Sequence, residues 1–440
     1  MRGAGLRQIL IFLSLVVLIP GLADGSEMQN PMFSELASGF DAEMKISAYG
    51  QQVKPSDSRL NPDNRFLKLS QSKAQVELRP ELGLDFRRLA LDVSPRLKGG
   101  WQRWESSPDE NETDTDLESN LIYWRARLRA LESVYISYGR ENLQWGPSYL
   151  YSPSNPFFKD NGKQNPHLEI DGMDFARLVW LESDSVTISL IHLAGPGLQE
   201  FASDSFSQTT ALKIDFVGDS MTLGTIVSRN FEDHQQIGAW GTWIASEGLL
   251  IYGEGALVRG TFGRYPRHSE NVFGLALART NQRANQWFPS ALGGAAYTFY
   301  FGPTFVIEYL YYGPGYVNDQ AEDYDRLLNT AKKAFISQGP DTSLGAQTLG
   351  FAADKGLRFL RQNYLLLQVH QSEVGNVFDY ALRWTQNLDD GSGQLTLNGD
   401  LFVSDHVNLF SVSLFNFGRN QTEFKEIMDY SQMLGIKFLF

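Results

Sequence analysis

Residues 434–440 read LGIKFLF: Leu434, Ile436, Phe438 and Phe440 share one parity, Gly435, Lys437 and Leu439 the other, and the last residue is aromatic. Alternation with period two is the pattern of a strand with one apolar and one polar face. It recurs upstream. Phe40, Ala42, Met44, Ile46 and Ala48 alternate with Asp41, Glu43, Lys45 and Ser47. Ala74, Val76 and Leu78 alternate with Gln75, Glu77 and Arg79, and Ile122, Trp124, Ala126 and Leu128 with Tyr123, Arg125, Arg127 and Arg129. Leu395, Leu397 and Leu401 alternate with Thr396, Asn398 and Asp400. Composition agrees: 29 Phe, 18 Tyr and 9 Trp make 13% of 440 residues, yet the mean hydropathy is only -0.27. The aromatics are interleaved with polar residues, which excludes a bundle of membrane-spanning helices.

A soluble sandwich also alternates, so the spacing of links decides the solvent. Short links are expected at 80–83, 131–133, 182–185, 218–220 and 245–248, and long polar loops at 99–118, 145–172 and 313–356. Tight turns on one rim and long loops on the other describe an up-and-down transmembrane β-barrel, apolar outside and polar inside. Counting every turn signal gives an odd number of strands, whereas both termini on the periplasmic side need an even one. Gly302-Pro303 is therefore read as a kink inside one long strand, because Tyr297, Phe299, Phe301, Phe305, Ile307, Tyr309 and Tyr311 keep one parity through it. About eighteen antiparallel strands result, an all-β fold.

The 434–440 segment resembles the terminal strand of bacterial outer-membrane barrels, so Leu434, Ile436, Phe438 and Phe440 are expected to form the signal read by the barrel-insertion machinery. The amino terminus fits that destination. Arg2 and Arg7 precede an apolar run over 9–19, followed by Pro20 and the small residues Gly21, Ala23 and Gly25. This reads as a secretory signal peptide over 1–25, leaving 26–440 as one barrel with long extracellular loops. The run is short for a membrane-spanning helix, which takes about 20 apolar residues. Cysteine is absent, excluding disulfides, thiolate metal sites and cysteine nucleophiles. The net charge of -13 argues against nucleic acid as a partner; outer-membrane lipid and lipopolysaccharide are the expected surroundings.

Function must then reside in the lumen and loops. Arg125, Arg127 and Arg129 share the polar face of one strand, and Arg79, Arg96 and Lys98 occupy that parity on the two strands before it. Such a basic ladder can favour anions in a water-filled pore, or it can brace the wall by pairing with Glu77, Asp92 and loop acids. The second feature is residues 138–158, YGRENLQWGPSYLYSPSNPFF, which follow the fifth strand. Arg140, Glu141, Trp145, Tyr149, Asn155 and Phe157 are the candidate ligand residues there: rings could stack on sugar faces while polar neighbours bond hydroxyls. A rigid aromatic plug fits as well.

That segment resembles the strand-loop signature of the capsule-assembly Wzi proteins, and more loosely of alginate-export barrels, through Gly139, Arg140, Trp145, Gly146, Pro147, Ser154, Asn155 and Pro156. The resemblance implies an eighteen-stranded outer-membrane barrel that binds or exports surface polysaccharide. One departure stands against capsule attachment: the family carries a helical bundle ahead of its barrel, for which this chain has little room. The alternative is a porin-like channel for small anionic solutes.

No enzyme is expected, and no cofactor or metal. His370 and Ser372 have the spacing of an outer-membrane phospholipase dyad, but this topology puts them at the periplasmic rim, away from outer-leaflet lipid. The acidic run 109–118, DENETDTDLE, lacks the central Gly of a calcium loop and reads as a solvated loop. Residues 324–335 read as a helix that can cap or enter the mouth.

Overall fold

The computed structural model describes residues 31–107, 110–199, 206–231, 234–279 and 285–440; the expected signal peptide lies outside them. A short helix, α1 (Pro31–Ser38), leads into β1 (Phe40–Pro55), β2 (Ser72–Phe86), β3 (Leu89–Ser107), β4 (Glu110–Leu131) and β5 (Val134–Glu141). There follow β6 (Met173–Leu181), β7 (Val186–Gly195), β8 (Thr209–Val217), β9 (Met221–Asn230), β10 (Gln235–Ser246) and β11 (Leu249–Arg259). A small hairpin, β12 (Tyr265–His268) and β13 (Leu275–Ala278), stands apart before β14 (Trp287–Thr298) and β15 (Thr304–Tyr312). Helices α2 (Asn318–Ser337) and α3 (Thr342–Ala353) precede β16 (Asn363–Val374), β17 (Phe378–Asn387), β18 (Gly393–Ser404), β19 (Val407–Phe417) and β20 (Met428–Leu439).

Eighteen of these strands form one antiparallel sheet that closes where β1 pairs with β20 as well as β2. Closure satisfies every strand edge, the condition for strands to cross a bilayer. No described helix is long and apolar enough to cross. The last residue completes the seam: Phe440 and Met44 exchange both backbone hydrogen bonds at 3.0 Å. Leu434, Ile436 and Phe438 lie on the outer parity of β20, opposite Gly50, Ala48 and Ile46 of β1. Leu434 is 68% exposed and Phe440 66%, a lipid-facing pattern.

Three local expectations fail, each for a physical reason. Residues 80–83 are not a turn; β2 runs through them to a turn at 87–88. Pro80 of β2 and Pro95 of β3 meet where the ladder between those strands is interrupted, Leu78 pairing with Leu97 and Leu82 with Val93. Neither proline can donate there. On the other side of Pro95, β4 answers with a bulge: Ser94 pairs with Tyr123 and Pro95 with Leu121, leaving Ile122 unpaired. The bulge turns Ile122 inward, 5% exposed, although alternation placed it toward lipid.

Second, 99–118 is not a loop, because β3 and β4 stay paired from Leu89–Leu128 as far as Ser107–Glu110. Thr113 and Thr115 are β-formers within the acidic run, so the strand continues through it. Third, Gly302-Pro303 is a turn, with Phe299 donating to Pro303 at 2.9 Å and Thr298 paired with Thr304. Five residues separate that pair, and an odd-length turn returns the chain on the same parity. Unbroken phase therefore carried no information. The remaining short links, the fold class and the strand number agree with the sequence.

The apolar core lies inside the barrel, at its extracellular end. Tyr324, Leu327, Leu328 and Ala331 fall on one face of α2, spaced three and four residues apart. They pack on Leu349 and Ala352 of α3, Tyr265, Leu275 and Leu277 of the hairpin, and Val306, Leu310, Tyr364 and Leu366 of the wall. Arg59 fastens this roof: it meets Asp325 at 2.6 Å and Glu426 at 2.8 Å, beneath the Tyr324 ring.

An inward-folded loop as the candidate functional site

Residues 142–172, between β5 and β6, fold into the lumen and not outward. Two carboxylates on the inner wall receive the first half. Glu254 of β11 accepts hydrogen bonds from the Ser152 and Ser154 hydroxyls at 2.6 and 2.9 Å and from the Ser148 N–H at 3.4 Å. Gly146 holds φ +82°, and a Cβ there would stand 2.3 Å from the Glu254 carboxylate, so glycine is required by both conformation and space. Glu308 of β15, 0% exposed, accepts the Tyr149 and Leu150 N–H groups at 2.6 and 2.9 Å and the Tyr252 hydroxyl at 2.7 Å. The segment carrying the capsule-like signature thus builds a cradle for wall carboxylates.

The ring side chains of that segment are committed to packing. Phe157 is buried against Trp145 and Phe175, at centroid distances of 6.1 and 5.1 Å, in a cluster with Leu143, Met173, Ile191 and Leu193. Asn155 locks the turn, donating to the Leu143 carbonyl at 2.8 Å and accepting from the Phe157 N–H at 2.9 Å. The Lys163 amine sits over the Tyr149 ring at 4.1 Å and donates to the Ser148 carbonyl at 2.8 Å. Burial pushes the Lys163 amine below its ordinary pKa and the Tyr151 phenol up to about 12. Phe157 is buried, whereas Trp145 and Tyr149 remain half-buried.

The second half crosses to the opposite wall. Arg383 of β17 donates to the Lys163 carbonyl at 2.9 Å, and Asn398 of β18 to the Gln164 carbonyl at 3.3 Å. His167 stacks on Phe410 at 3.9 Å and lies 3.3 Å from Asp400. Glu169 pairs with Arg79, and Asp171 with Arg96 at 3.3 Å. One lumenal cavity of about 540 Å³ is bounded by Gln51, Arg358 and Met433. Another of about 630 Å³ is bounded by Arg79, Ser94, Ile122 and Tyr123. Gly162, Leu168, Glu169 and Ile170 line both, so this stretch partitions the lumen.

The basic ladder is present on the inner wall but most of it is neutralised. Arg125 meets Asp92 at 3.0 Å and Glu141 at 3.4 Å; Glu141 also holds Arg177 at 3.3 Å. Lys98 meets Glu118 at 2.6 Å, and Arg79 lies 3.4 Å from Glu81. Arg127 keeps the inner parity with no ion pair among the described residues, and Arg129 is exposed beside the periplasmic turn. Trp124, Ala126 and Leu128 take the outer parity with Tyr138, whose ring is 5.3 Å from Trp124.

Arg140 departs from its expected place among ligand residues. It pairs across β4 and β6 with Trp124 and Asp174 on the outer parity and meets the Asp174 carboxylate at 2.8 Å. Alternation from Tyr138 outward predicts this, since Tyr138 and Arg140 are two apart. Glu254 and Glu308 escaped sequence reading, although each is a lone carboxylate in an apolar strand, YGEGA and VIEYL. His370 faces the lumen beside Gln368 at 3.0 Å, near the periplasmic turn that follows β16. No group of three or more metal-ligating side chains exists among the described residues.

No family model matches the sequence, and no curated protein does. Solved structures do. Pseudomonas aeruginosa OccK7 (OpdD) superposes with a TM-score of 0.55 at 10% identity, covering 91% of this chain and 98% of that one. Pseudomonas aeruginosa OpdL gives 0.54 at 11%, covering 92% and 99%. The outer membrane protein OprD of Pseudomonas aeruginosa gives 0.52 at 7%, covering 91% and 94%. At such identities the likeness speaks of fold, and it lends no support to the capsule-assembly resemblance. With the closed eighteen-stranded sheet, it places the chain as a β-barrel of the bacterial outer membrane.

Proposed function

We propose that the protein is a passive channel for small polar solutes, anions among them, whose bore is set by residues 142–172. The observation carrying this reading is the partition at 162–170 between two lumenal cavities of about 540 and 630 Å³, each of a size for small solutes and not for a polymer chain. The shared fold with OccK7, OpdL and OprD supports a channel over a polysaccharide exporter. Ion pairing of the ladder makes the wall nearly charge-balanced, so charge biases permeation weakly and size governs it. Liposome swelling tests the reading. Rates should fall steeply from a pentose to a disaccharide to a tetrasaccharide; absence of swelling with every solute, or equal rates across the series, overturns it.

A further inference from the structure

The loop at 142–172 has a second face, turned away from the two lumenal cavities. There, at the extracellular end, a third cavity of about 290 Å³ lies between residues 151–158 and the inner faces of β7–β11 and β14, close to the roughly 300 Å³ at which small-molecule sites begin. Small side chains leave the space: Ala256 pairs with Ser290 across the wall, and Ser228 with Gln236. Toward the periplasm it is shut. Glu254, next below Ala256 on the same face of β11, holds Ser152 and Ser154 against the wall, and Leu292, next below Ser290 on β14, is buried. Among the described residues it shares only Lys159 with the 540 Å³ cavity and none with the 630 Å³ one. The space is a blind pocket beside the pore.

Its two sides differ in chemistry. On the loop and roof side the Tyr151 ring meets Phe158 at 5.1 Å and Tyr312 at 5.9 Å, both edge to face, and Phe262 packs on His234 at 4.2 Å. On the barrel side stand the hydroxyls of Thr209, Ser228 and Ser290. Ser290 is 6% exposed, and its hydroxyl, like that of Ser228, has no hydrogen-bond partner among the described residues. The Ser207 hydroxyl at the rim is buried and unpartnered as well. Buried polar groups without partners are uncommon in folded proteins, and here they border a cavity. No Asp or Glu is among the described lining residues, in a chain that has 51 of them. The other two cavities are both lined by acidic and basic side chains.

We infer that this pocket binds a small uncharged aromatic alcohol, its ring held by Tyr151, Phe158 and Phe262 and its hydroxyl by Ser228 and Ser290. The one-sided polarity selects that class. A sugar carries hydroxyls around its whole ring and would leave several unpaired against the apolar side, and a carboxylate would give up its water for hydroxyls alone. Binding here is independent of conduction, because the pocket ends above the Glu254 clasp.

The full-length barrel, folded in detergent, is titrated calorimetrically with para-hydroxybenzyl alcohol, with para-hydroxybenzoate and with glucose. Wild type should bind the alcohol saturably and one to one, and the carboxylate and the sugar roughly tenfold or more weakly. Ser228→Ala with Ser290→Ala should weaken binding of the alcohol severalfold by removing its hydrogen-bond partners. Ala256→Leu, which fills the space from the wall, should abolish it. Heat-modifiable mobility confirms that each variant is folded. In planar bilayers the saturating alcohol should leave wild-type current unchanged. Absence of saturable binding, equal or tighter binding of the carboxylate or of glucose, or undiminished affinity in folded Ala256→Leu overturns the assignment. Block of the current by the alcohol overturns the placement of the site beside the pore.

Discussion

Glu308, on the inner face of β15, accepts the backbone N–H of Tyr149 at 2.6 Å across 159 residues of sequence. A hydrogen bond to a charged group contributes about 1.5–3 kcal/mol, and Glu308 receives three. Glu308→Ala removes all three and leaves the two loop N–H groups without acceptors. The loop should leave the wall, raising single-channel conductance at least severalfold and exposing Lys159 and Lys163 to trypsin. A folded variant with unchanged conductance and protease resistance would mean that the loop is held by its other contacts.

Charge balance in the ladder gives a prediction of opposite signs. Asp92→Asn with Glu118→Gln leaves Arg125 with Glu141 alone and takes the Glu118 carboxylate from Lys98, and the reversal potential in a salt gradient should move toward anion selectivity. Arg125, Arg127 and Arg129 changed together to Ser should move it toward cations. Both shifts should shrink at 1 M salt, where the screening length is about 3 Å.

Glu423 lies in the turn between β19 and β20, outside the membrane-spanning strands, where the Leu360 N–H, the Tyr364 hydroxyl and the Asn387 amide reach it at 2.7, 2.5 and 2.8 Å. Burial nevertheless raises its carboxyl pKa. A raised folded pKa means that its stabilising contribution is complete below the ordinary carboxylate range and is lost as pH climbs through the raised value. Protection factors for amides around 360–364 and 387–392, corrected for intrinsic exchange, should therefore fall as pH rises above the ordinary carboxylate range. Glu423→Gln should flatten that profile; an equally steep profile would assign the pH dependence elsewhere.

Phe438→Ser with Phe440→Ser removes two outward rings at the closing seam. Secretion should persist while the heat-modifiable barrel drops at least several-fold, because the resemblance of this strand to an insertion signal makes assembly the sensitive step. Equal amounts of folded barrel in variant and wild type would remove that role.

What the sequence showed and what it hid follow from range. Alternation along Ile46–Ala48 or Leu395–Leu397 is local, and it marks the lipid face without knowledge of the neighbours. Ile122 is not local: its inward turn depends on Pro95 of the adjacent strand, which forces the bulge. The kink read at Gly302-Pro303 failed because parity survives an odd turn. The loop at 142–172 was recognised by its rings, yet its anchors Glu254 and Glu308 lie more than a hundred residues onward. Motif reading attached a sugar-binding role to Trp145 and Tyr149 because it could not see Phe157 and Lys163 already against them.

Planar-bilayer recording of the purified wild-type barrel tests the central claim most directly. The account predicts steady, ohmic single-channel steps in symmetric salt, small for an eighteen-stranded barrel, indifferent to added oligosaccharide and larger in Glu308→Ala. A folded wild-type barrel that conducts nothing, or that conducts until an oligosaccharide closes it, would contradict the account.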